Sequence, residues 1–305
     1  MRIVITGAGG FVGREISRQL VARGDEVVGL DVEGARMVGC ARRVVGELSG
    51  QSARRELFRD DFDALIHLAT VPGGAAEADP AASRRVNIDA MYDLLLEAAQ
   101  RRPGVRVVYA SSIAVLGDVL PAVVDDLTPL SPKMIYAGHK AMMEHAVAMF
   151  TNRGMIDGVT VRLPGVLARP KGPSGMKSAF MSDLFHSLKK GEPFECPVFA
   201  DGTIWAQSVK KCAENFIAAV HLNSALMPAT RAVTLPAIRI SIAELAAEIA
   251  SQCGVSENLV TYNPDIQLDA AFARQPMLLT PAAERAGFAH DGNAASLVSN
   301  ALASL

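Results

Sequence analysis

Residues 1–31 read MRIVITGAGGFVGREISRQLVARGDEVVGLD. The stretch opens with a short β-branched run and continues with three glycines spaced three residues apart: Gly7, Gly10 and Gly13. Apolar residues then recur at helical spacing over 12–23. A second apolar run follows and ends on Asp31. This order predicts a strand, a glycine-rich turn, a helix and a second strand that ends in an acid.

The glycine-rich turn has the spacing of a dinucleotide-binding βαβ unit. Gly7 permits the tight turn, Gly10 lets backbone N–H groups approach a pyrophosphate, and Gly13 lets the helix pack against the strand. Phe11 precedes the helix and Val12 begins it, and the helix N-terminus adds partial positive charge to the anion site. We therefore predict that these five residues hold a dinucleotide.

Asp31 indicates which dinucleotide is bound. It follows Gly13 by 18 residues, close to the spacing of the acid that binds the adenosine ribose. Its carboxylate would repel a 2′-phosphate, so the sequence favours NAD over NADP. A glycine pattern alone also occurs in other α/β turns, but this one follows a strand, opens a helix and precedes a strand that ends in an acid.

Composition limits the possible partners. The chain has 305 residues, of which half are hydrophobic, and a formal net charge of −2, so neither nucleic acid nor an acidic membrane surface is indicated. No apolar stretch approaches the ~20 residues that span a bilayer, and the chain starts with a core strand, so we expect no signal peptide and a cytoplasmic location. Four scattered cysteines without metal-ligand spacing predict reduced structural thiols and no metal: Cys40, Cys196, Cys212 and Cys253.

The alternation of strand and helix patterns continues and predicts an α/β fold with a doubly wound parallel sheet of the Rossmann type. The predicted strands lie at 44–46, 63–70 and 105–110, and the predicted helices at 51–59 and 87–101. In the strand DALIHLAT, we interpret His67 as a hydrogen-bonded core residue rather than a ligand. Ligands bind outside the carboxyl ends of such strands, so we expect a cofactor beside Leu68, Ala69 and Thr70, followed by a mobile loop at 71–76.

A Tyr-x-x-x-Lys pair carries the predicted chemistry. At i and i+4 of a helix, the phenol of Tyr136 and the ammonium of Lys140 share one face. A nearby cation lowers the pKa of a phenol from its ordinary value of ~10. Ser112, which we prefer to Ser111, follows a strand and can orient a substrate hydroxyl. We predict Tyr136 as the base, Lys140 as the group that tunes it and holds the nicotinamide ribose, and His139 as structural.

Together these residues resemble the extended short-chain dehydrogenase/reductase family, the NAD-dependent epimerase/dehydratase group. The resemblance spans the whole chain and rests on Gly7, Gly10, Gly13, Asp31, the HLA of 67–69, Asn87, Ser112, Tyr136 and Lys140. The segment RLPGVLARP at 162–170 resembles the family's strand and proline turn beside the nicotinamide. The resemblance implies further cofactor contacts at Asn87, Pro164 and Val166.

The resemblance also implies a homodimer built on two long helices of each subunit, at 87–101 and 136–150. The apolar residues of both stretches cover more than one helical face. Packing on the sheet uses one face, and a partner subunit can use the rest.

The stretch DGTIWAQSVKKCAENFIAAV at 201–220 departs from the nucleotide-sugar members of the family, which usually carry an Arg-Asp pair and an acidic turn. Trp205 stands near the expected arginine, and Lys210 and Lys211 stand where acids would be. A site without that arginine is less suited to a sugar diphosphate. Other stretches resemble a subgroup that oxidises D-erythronate, a four-carbon sugar acid, at C2: those at 161–170, 175–194 and 234–241.

We predict two domains. An NAD-binding domain at 1–165, to which 205–237 returns, is joined to a smaller mixed substrate domain formed by 166–204 and 238–305. The carboxylate of a sugar acid needs a cation, and there are three candidates: Lys177, Arg162 and Arg274.

Lys177 follows a loop predicted at 171–178 and opens a helix predicted at 179–190, where the helix N-terminus would add to its charge. A solvated lysine is equally compatible with that position. Arg162 lies within a strand and is expected to pair internally rather than with substrate.

We therefore predict NAD-dependent oxidation of a secondary alcohol of a small sugar acid, with D-erythronate at C2 preferred. A nucleotide-sugar epimerase or dehydratase that retains its NAD is the alternative. A non-enzymatic NAD-sensing regulator is a third possibility, which the intact tyrosine–lysine pair disfavours.

Overall fold

The computed structural model describes residues 1–171 and 177–305. The strands are β1 (Arg2–Thr6), β2 (Glu26–Asp31), β3 (Arg42–Val45), β4 (Ala64–His67), β5 (Val105–Ser112), β6 (Val123–Val124), β7 (Ile156–Leu163), β8 (Gly165–Val166), β9 (Phe194–Cys196), β10 (Thr203–Gln207), β11 (Ala232–Thr234), β12 (Ile238–Ser241), β13 (Val260–Tyr262) and β14 (Met277–Leu278). The α-helices are α1 (Phe11–Ala22), α2 (Gln51–Leu57), α3 (Gly73–Ala78), α4 (Pro80–Arg84), α5 (Met91–Arg101), α6 (Ile135–Asn152), α7 (Phe180–Lys189), α8 (Val209–His221), α9 (Ile242–Cys253), α10 (Ile266–Phe272), α11 (Pro281–Arg285) and α12 (Ala294–Leu302).

The largest sheet has seven parallel strands in the order β11-β7-β5-β4-β1-β2-β3. This confirms the doubly wound Rossmann architecture predicted from the sequence. Parallel strands end at one edge of a sheet, and ligands bind outside that edge. Here β1 ends at Thr6, β2 at Asp31, β4 at His67 and β5 at Ser112, so the predicted site residues are brought to the same edge.

Helices cover both faces of this sheet. Successive side chains of a strand point to opposite faces, so Ile3 and Ile5 of β1 pack in the cluster that includes residues of α1 and α8. Val4 packs on the other face, in the cluster that includes residues of α2, α5 and α6. The strands are therefore apolar on both sides, which is why their sequences lack a simple alternation.

A second group of strands and helices, which we propose as the smaller domain, adjoins the sheet. The strands β12, β10 and β8 form a three-stranded sheet, and residues of α7, α9 and α12 contribute to its apolar core. The capping box expected at Ser241 and Glu244 is present at the start of α9. None of the helices in residues 1–171 and 177–305 has both the length and the apolarity that a membrane crossing requires.

Three details differ from the sequence predictions. β10, at Thr203–Gln207, pairs with the small sheet, so the return to the main domain begins with α8 rather than at 205. Residues Ala282, Ala283 and Phe288 pack in the main core, although 238–305 was assigned to the substrate domain. The predicted mobile loop at 71–76 is wrong, because Gly73–Ala78 forms the short helix α3 with Ala76 fully buried.

Candidate active site

The glycine-rich turn has the close packing that its sequence predicts. Gly7 has a φ of +74°, and a Cβ there would lie 2.8 Å from the backbone nitrogen of Ala69. A Cβ on Gly13 would lie 2.2 Å from the carbonyl oxygen of Gly7. Gly10 precedes α1 with no side-chain cap, and the first turn of α1 has no acid. The N–H groups at the start of α1 therefore have no side-chain cap, and this helix start fits a pyrophosphate.

Asp31 lies at the end of β2 and faces the same turn. One carboxylate oxygen accepts a hydrogen bond from the N–H of Gly9 at 2.7 Å, and the other accepts one from the N–H of Val32 at 2.8 Å. A direct hydrogen bond thus joins the glycine-rich turn to Asp31. Their arrangement fits a nicotinamide dinucleotide cofactor with its adenosine ribose near Asp31.

Asn87 shapes the loop after β4. Its side-chain oxygen accepts hydrogen bonds from the N–H of Val71 at 2.7 Å and from the hydroxyl of Thr70 at 3.1 Å, and its NH₂ group donates to the carbonyl of Val71 at 3.0 Å. It is buried in a π-helical segment, Arg85–Ala90, that runs into α5. Asn87 therefore positions the loop that begins beside Ala69, and a direct contact with the cofactor stays a prediction.

Tyr136 and Ser112 meet at the carboxyl edge of the sheet. Tyr136 lies in the first turn of α6, and Ser112 is the last residue of β5. The hydroxyl of Ser112 lies close enough to the phenol to lower the pKa of Tyr136. The hydroxyl of Ser111 is instead buried and donates to Glu144 at 2.5 Å, which supports the choice of Ser112 over Ser111.

Lys140 lies one helical turn after Tyr136 and is almost fully buried. Its Nζ donates to the carbonyl of Ala110 at 2.7 Å and lies 5.6 Å from the centre of the Tyr136 ring. Burial lowers the pKa of Lys140 to about 7, and the negative charge of Glu144 opposes this shift. The amine is therefore held firmly under the tyrosine, as the i and i+4 spacing predicts.

A charged residue outside the predicted site, Arg169, affects the pKa of Tyr136. Burial raises the pKa of Tyr136, and the hydrogen bond from Ser112 and the charge of Arg169 lower it. The sequence predicted Lys140 as the cation that lowers this pKa, whereas the cation with this effect in the structure is Arg169. The only sequence signal for Arg169 was its place in RLPGVLARP, where Arg162 was chosen instead.

Two of the three predicted carboxylate-binding cations are paired within the chain. Arg162 is buried and makes a bidentate pair with Glu144, with a shortest distance of 2.8 Å. Arg274 pairs with Asp269 at 2.5 Å and with Asp201 at 3.3 Å. We therefore leave Arg162 and Arg274 out of the proposed substrate contacts. The side chain of Lys177 and most of the loop predicted at 171–178 lie outside the described residues.

The two histidines near the site have partners in the chain. The Nδ1 of His67 is hydrogen-bonded to the hydroxyl of Thr6 at 2.7 Å, and burial lowers the pKa of His67 to about 3. The Nδ1 of His139 is hydrogen-bonded to the hydroxyl of Ser83 at 3.0 Å. These contacts agree with the structural roles that the sequence favours for both.

Replacing Lys140 by methionine is expected to stabilise the ligand-free protein near neutral pH. The ordinary lysine pKa of 10.5 falls to about 7 on burial, so between these values the unfolded wild-type chain binds more protons than the folded one. The free energy of unfolding of the wild type therefore rises with pH between about pH 7 and pH 10.5. Compared with that of Lys140→Met, it rises by about 3 to 5 kcal/mol over this range. Urea unfolding of both proteins near pH 7 and near pH 10 measures the change.

The matched control is Lys190→Met, which removes an exposed lysine at the end of α7. Its stability difference from wild type is expected to stay constant over the same pH range. A pH-independent difference for Lys140→Met would contradict the lowered pKa.

The parallel sheet and its glycine-rich turn fit a nicotinamide-dependent oxidoreductase. Residues 3–209, more than half of the chain, match the family described as the NAD dependent epimerase/dehydratase family. The chain belongs to this family.

Two curated relatives can be aligned with about four fifths of the chain. It is 33% identical over 256 residues to D-erythronate dehydrogenase of Cupriavidus necator, covering 80% of this chain and 79% of the relative. It is 29% identical over 264 residues to D-erythronate dehydrogenase of Haemophilus influenzae, covering 83% of each.

Solved structures support the fold. The GalE-like L-threonine dehydrogenase of Cupriavidus necator, in its holo form, has a TM-score of 0.88 at 22% identity, over 99% of both chains. The nucleoside-diphosphate-sugar epimerase of Agrobacterium tumefaciens has a TM-score of 0.87 at 24% identity, over 98% of this chain and 92% of that one. At these identities the likeness concerns the architecture alone.

Proposed function

We propose that the protein oxidises the C2 hydroxyl of a small sugar acid, with D-erythronate as the preferred substrate and NAD as the acceptor. The observation that carries the chemistry is the nearness of Ser112, Tyr136 and Lys140 at the edge of the sheet where the glycine-rich turn lies. The choice of substrate is supported by the two relatives named D-erythronate dehydrogenase.

Each residue of the site has a separate task. The hydroxyl of Ser112 orients the substrate alcohol beside the phenol. Tyr136 takes the proton of that alcohol. Lys140 holds the phenol in place and is positioned to hydrogen-bond the nicotinamide ribose. The nicotinamide group, when bound, accepts the hydride from the same carbon.

The preference for NAD over NADP rests on Asp31. Its carboxylate lies at the turn, 2.7 Å from the nitrogen of Gly9, where a 2′-phosphate would meet a negative charge. We expect NAD to support oxidation at least tenfold better than NADP, because the repulsion between two close charges exceeds about 1.4 kcal/mol.

The alternative is a nucleotide-sugar epimerase or dehydratase. Trp205 stands near the position where the nucleotide-sugar members carry an arginine. Its indole is 1% exposed and donates to the carbonyl of Pro276 at 2.7 Å. An apolar side chain that is buried and already hydrogen-bonded provides no charge for a diphosphate, which favours the sugar acid.

The test is NADH formation from a panel of substrates. The purified protein is given NAD or NADP with D-erythronate, L-erythronate, D-threonate, L-threonate and D-glycerate, and with UDP-glucose alongside. We expect net NADH from at least one four-carbon acid and none from the nucleotide sugar. Conversion of the sugar nucleotide without net NADH, and no turnover of any acid, would favour the epimerase instead.

We also propose a homodimer through the helices at 87–101 and 136–150. Large apolar side chains of these helices are exposed in the single chain: Tyr92 at 39%, Met142 at 56% and Met149 at 38%. Burying such a patch is favourable, which is the usual mark of an interface. Sedimentation is expected to show twice the mass of one chain for wild type, and half of that for Met142→Glu.

A further inference from the structure

We propose that Ser83 and His139 are positioning residues of the cofactor site, which act through Asn87 on the loop at 70–71. This inference rests on the proposed use of NAD and is independent of the identity of the substrate. It assigns a task to two residues that no sequence pattern connected with the cofactor.

The loop that follows β4 lies against the glycine-rich turn. A Cβ on Gly7 would lie 2.8 Å from the backbone nitrogen of Ala69, so the two segments are in close contact. The side chain of Asn87 holds the next two residues, Thr70 and Val71, through hydrogen bonds of 2.7 to 3.1 Å. A shift of Asn87 would therefore move a wall of the proposed dinucleotide site.

Asn87 is itself held by a buried serine. Its NH₂ group donates a hydrogen bond to the hydroxyl oxygen of Ser83 at 3.1 Å, and that oxygen lies 3.0 Å from Nδ1 of His139. Ser83 is fully buried on α4. His139 lies on α6, between Tyr136 and Lys140. A continuous chain of hydrogen bonds thus connects the helix of the predicted base with the loop beside the cofactor site.

The backbone around Asn87 is also unusual. Residues Arg85–Ala90 form a π-helical segment that interrupts the run of α-helix between α4 and α5. Such a segment is rare and is often found at functional sites. Asn87 lies within it, so this distortion sets the direction in which its amide meets both Val71 and Ser83.

The hydrogen atoms of this chain can be placed by counting donors. The NH₂ group of Asn87 uses its two hydrogens for the carbonyl of Val71 and for the oxygen of Ser83. The Ser83 hydroxyl is buried, so its single hydrogen needs an acceptor. The hydrogen bond found for it runs to Nδ1 of His139. The imidazole must therefore be neutral, with its own proton on Nε2.

The surroundings of His139 favour this neutral ring. Partial burial lowers the pKa of His139 from its ordinary value of 6.5, and the charges of Asp89 and Glu77 oppose this shift. At neutral pH the imidazole is uncharged and can accept the hydrogen bond of Ser83. Ser83 and Asn87 then use all their hydrogens, so the loss of one member leaves a buried polar group without a partner.

Three variants test the chain. Ser83→Ala and His139→Leu break it at two points, whereas His139→Asn keeps an acceptor oxygen close to the position of Nδ1. The matched controls are Ser187→Ala and His145→Leu, which remove a buried serine of α7 and an exposed histidine of α6. Calorimetric titration measures the dissociation constant of each protein for NAD. Hydrogen exchange measures the protection of the backbone at 69–72, with β10 as the reference.

We expect Ser83→Ala and His139→Leu to weaken NAD binding by about 3- to 10-fold, the scale of one hydrogen bond. His139→Asn keeps the hydrogen bond, so it and both controls should bind NAD within about twofold of the wild type. Hydrogen exchange at 69–72 is expected to become faster by about threefold or more in the two broken variants, with exchange in β10 unchanged.

NAD binding by Ser83→Ala that equals that of the wild type would overturn the proposal. So would equally weak binding by His139→Asn and His139→Leu, since the acceptor would then be irrelevant. Faster exchange in β10 as well as at 69–72 would show a general loss of stability and would also overturn it.

Turnover separates this inference from the proposed function. If the wild type binds NAD but oxidises no sugar acid, the proposed function fails, and NAD binding and exchange still decide the role of Ser83 and His139. Absence of NAD binding by the wild type would overturn both.

Discussion

Tyr136→Phe is expected to lower kcat by about 10²- to 10⁴-fold while NADH binds within a few-fold of wild type. The variant keeps the ring over Lys140, whose Nζ lies 5.6 Å from its centre, and loses only the oxygen that takes the alcohol proton. Loss of kcat without loss of cofactor affinity is the signature of a group that acts in the transition state. Initial rates with the best acid of the panel and fluorescence titration with NADH measure the two quantities.

The matched control is Tyr262→Phe, which removes a hydroxyl from an exposed tyrosine on β13 of the smaller domain. Its kcat is expected to equal that of wild type. If Tyr136→Phe keeps its rate within tenfold, the proton goes to another group and the assignment of the base is wrong. If neither the wild type nor the variant turns over any substrate while both bind NADH, the NAD-sensing regulator becomes the better interpretation.

Glu144→Ala is expected to lower the free energy of unfolding by about 3 to 5 kcal/mol. Glu144 and Arg162 are both buried and make a bidentate pair, and Ser111 donates a further hydrogen bond to the same carboxylate. Removing the carboxylate leaves the guanidinium charge buried without its partner. Chemical denaturation at neutral pH measures the loss.

Two controls identify the cause of that loss. Glu56→Ala removes an exposed carboxylate that makes ion pairs of similar length, 3.0 Å to Arg59 and 3.2 Å to Arg42, and is expected to change stability by about 1 kcal/mol. The double variant Glu144→Leu with Arg162→Met is expected to recover most of the loss, because no charge is then buried unpaired. A single-variant loss as small as that of Glu56→Ala would contradict this account.

The Glu144–Arg162 pair also affects the candidate active site, because Glu144 influences the pKa of Lys140. The charge of Glu144 raises the pKa of Lys140, and burial lowers it to about 7. Glu144→Ala therefore lowers the pKa of Lys140 further and leaves less ammonium beneath Tyr136 at neutral pH. An enzyme that needs the charged amine should show this as a lower rate at pH 7 that recovers as the pH falls.

Local patterns predicted the parts of the site that depend on nearby residues in the chain. The spacing of Gly7, Gly10 and Gly13 follows from the close approach of one turn to the start of one helix. In the structure, a Cβ added to Gly13 would lie only 2.2 Å from the carbonyl oxygen of Gly7. The i and i+4 spacing of Tyr136 and Lys140 follows from helix geometry alone. Such features are local, so a short window of sequence contains all the information needed.

The partners of the charged groups could not be predicted in this way. Arg162 was expected to pair within the chain, but its partner could not be named from the sequence, because only the packing of α6 on β7 brings Glu144 to it. Arg169 was overlooked for the same reason. It is followed by Pro170 in an irregular segment, and its nearness to Phe11 depends on the left-handed turn at Ala168.

By itself, the sequence determined the Rossmann architecture, the dinucleotide turn and the tyrosine–lysine pair, because strand and helix periodicity and glycine spacing are imposed by the backbone over a few residues. The tertiary structure alone decided which carboxylate pairs with Arg162 and that burial lowers the pKa of Lys140. Those properties depend on contacts between segments that are far apart in the chain, because the strength of an electrostatic interaction is set by the distance between the charges and by their burial.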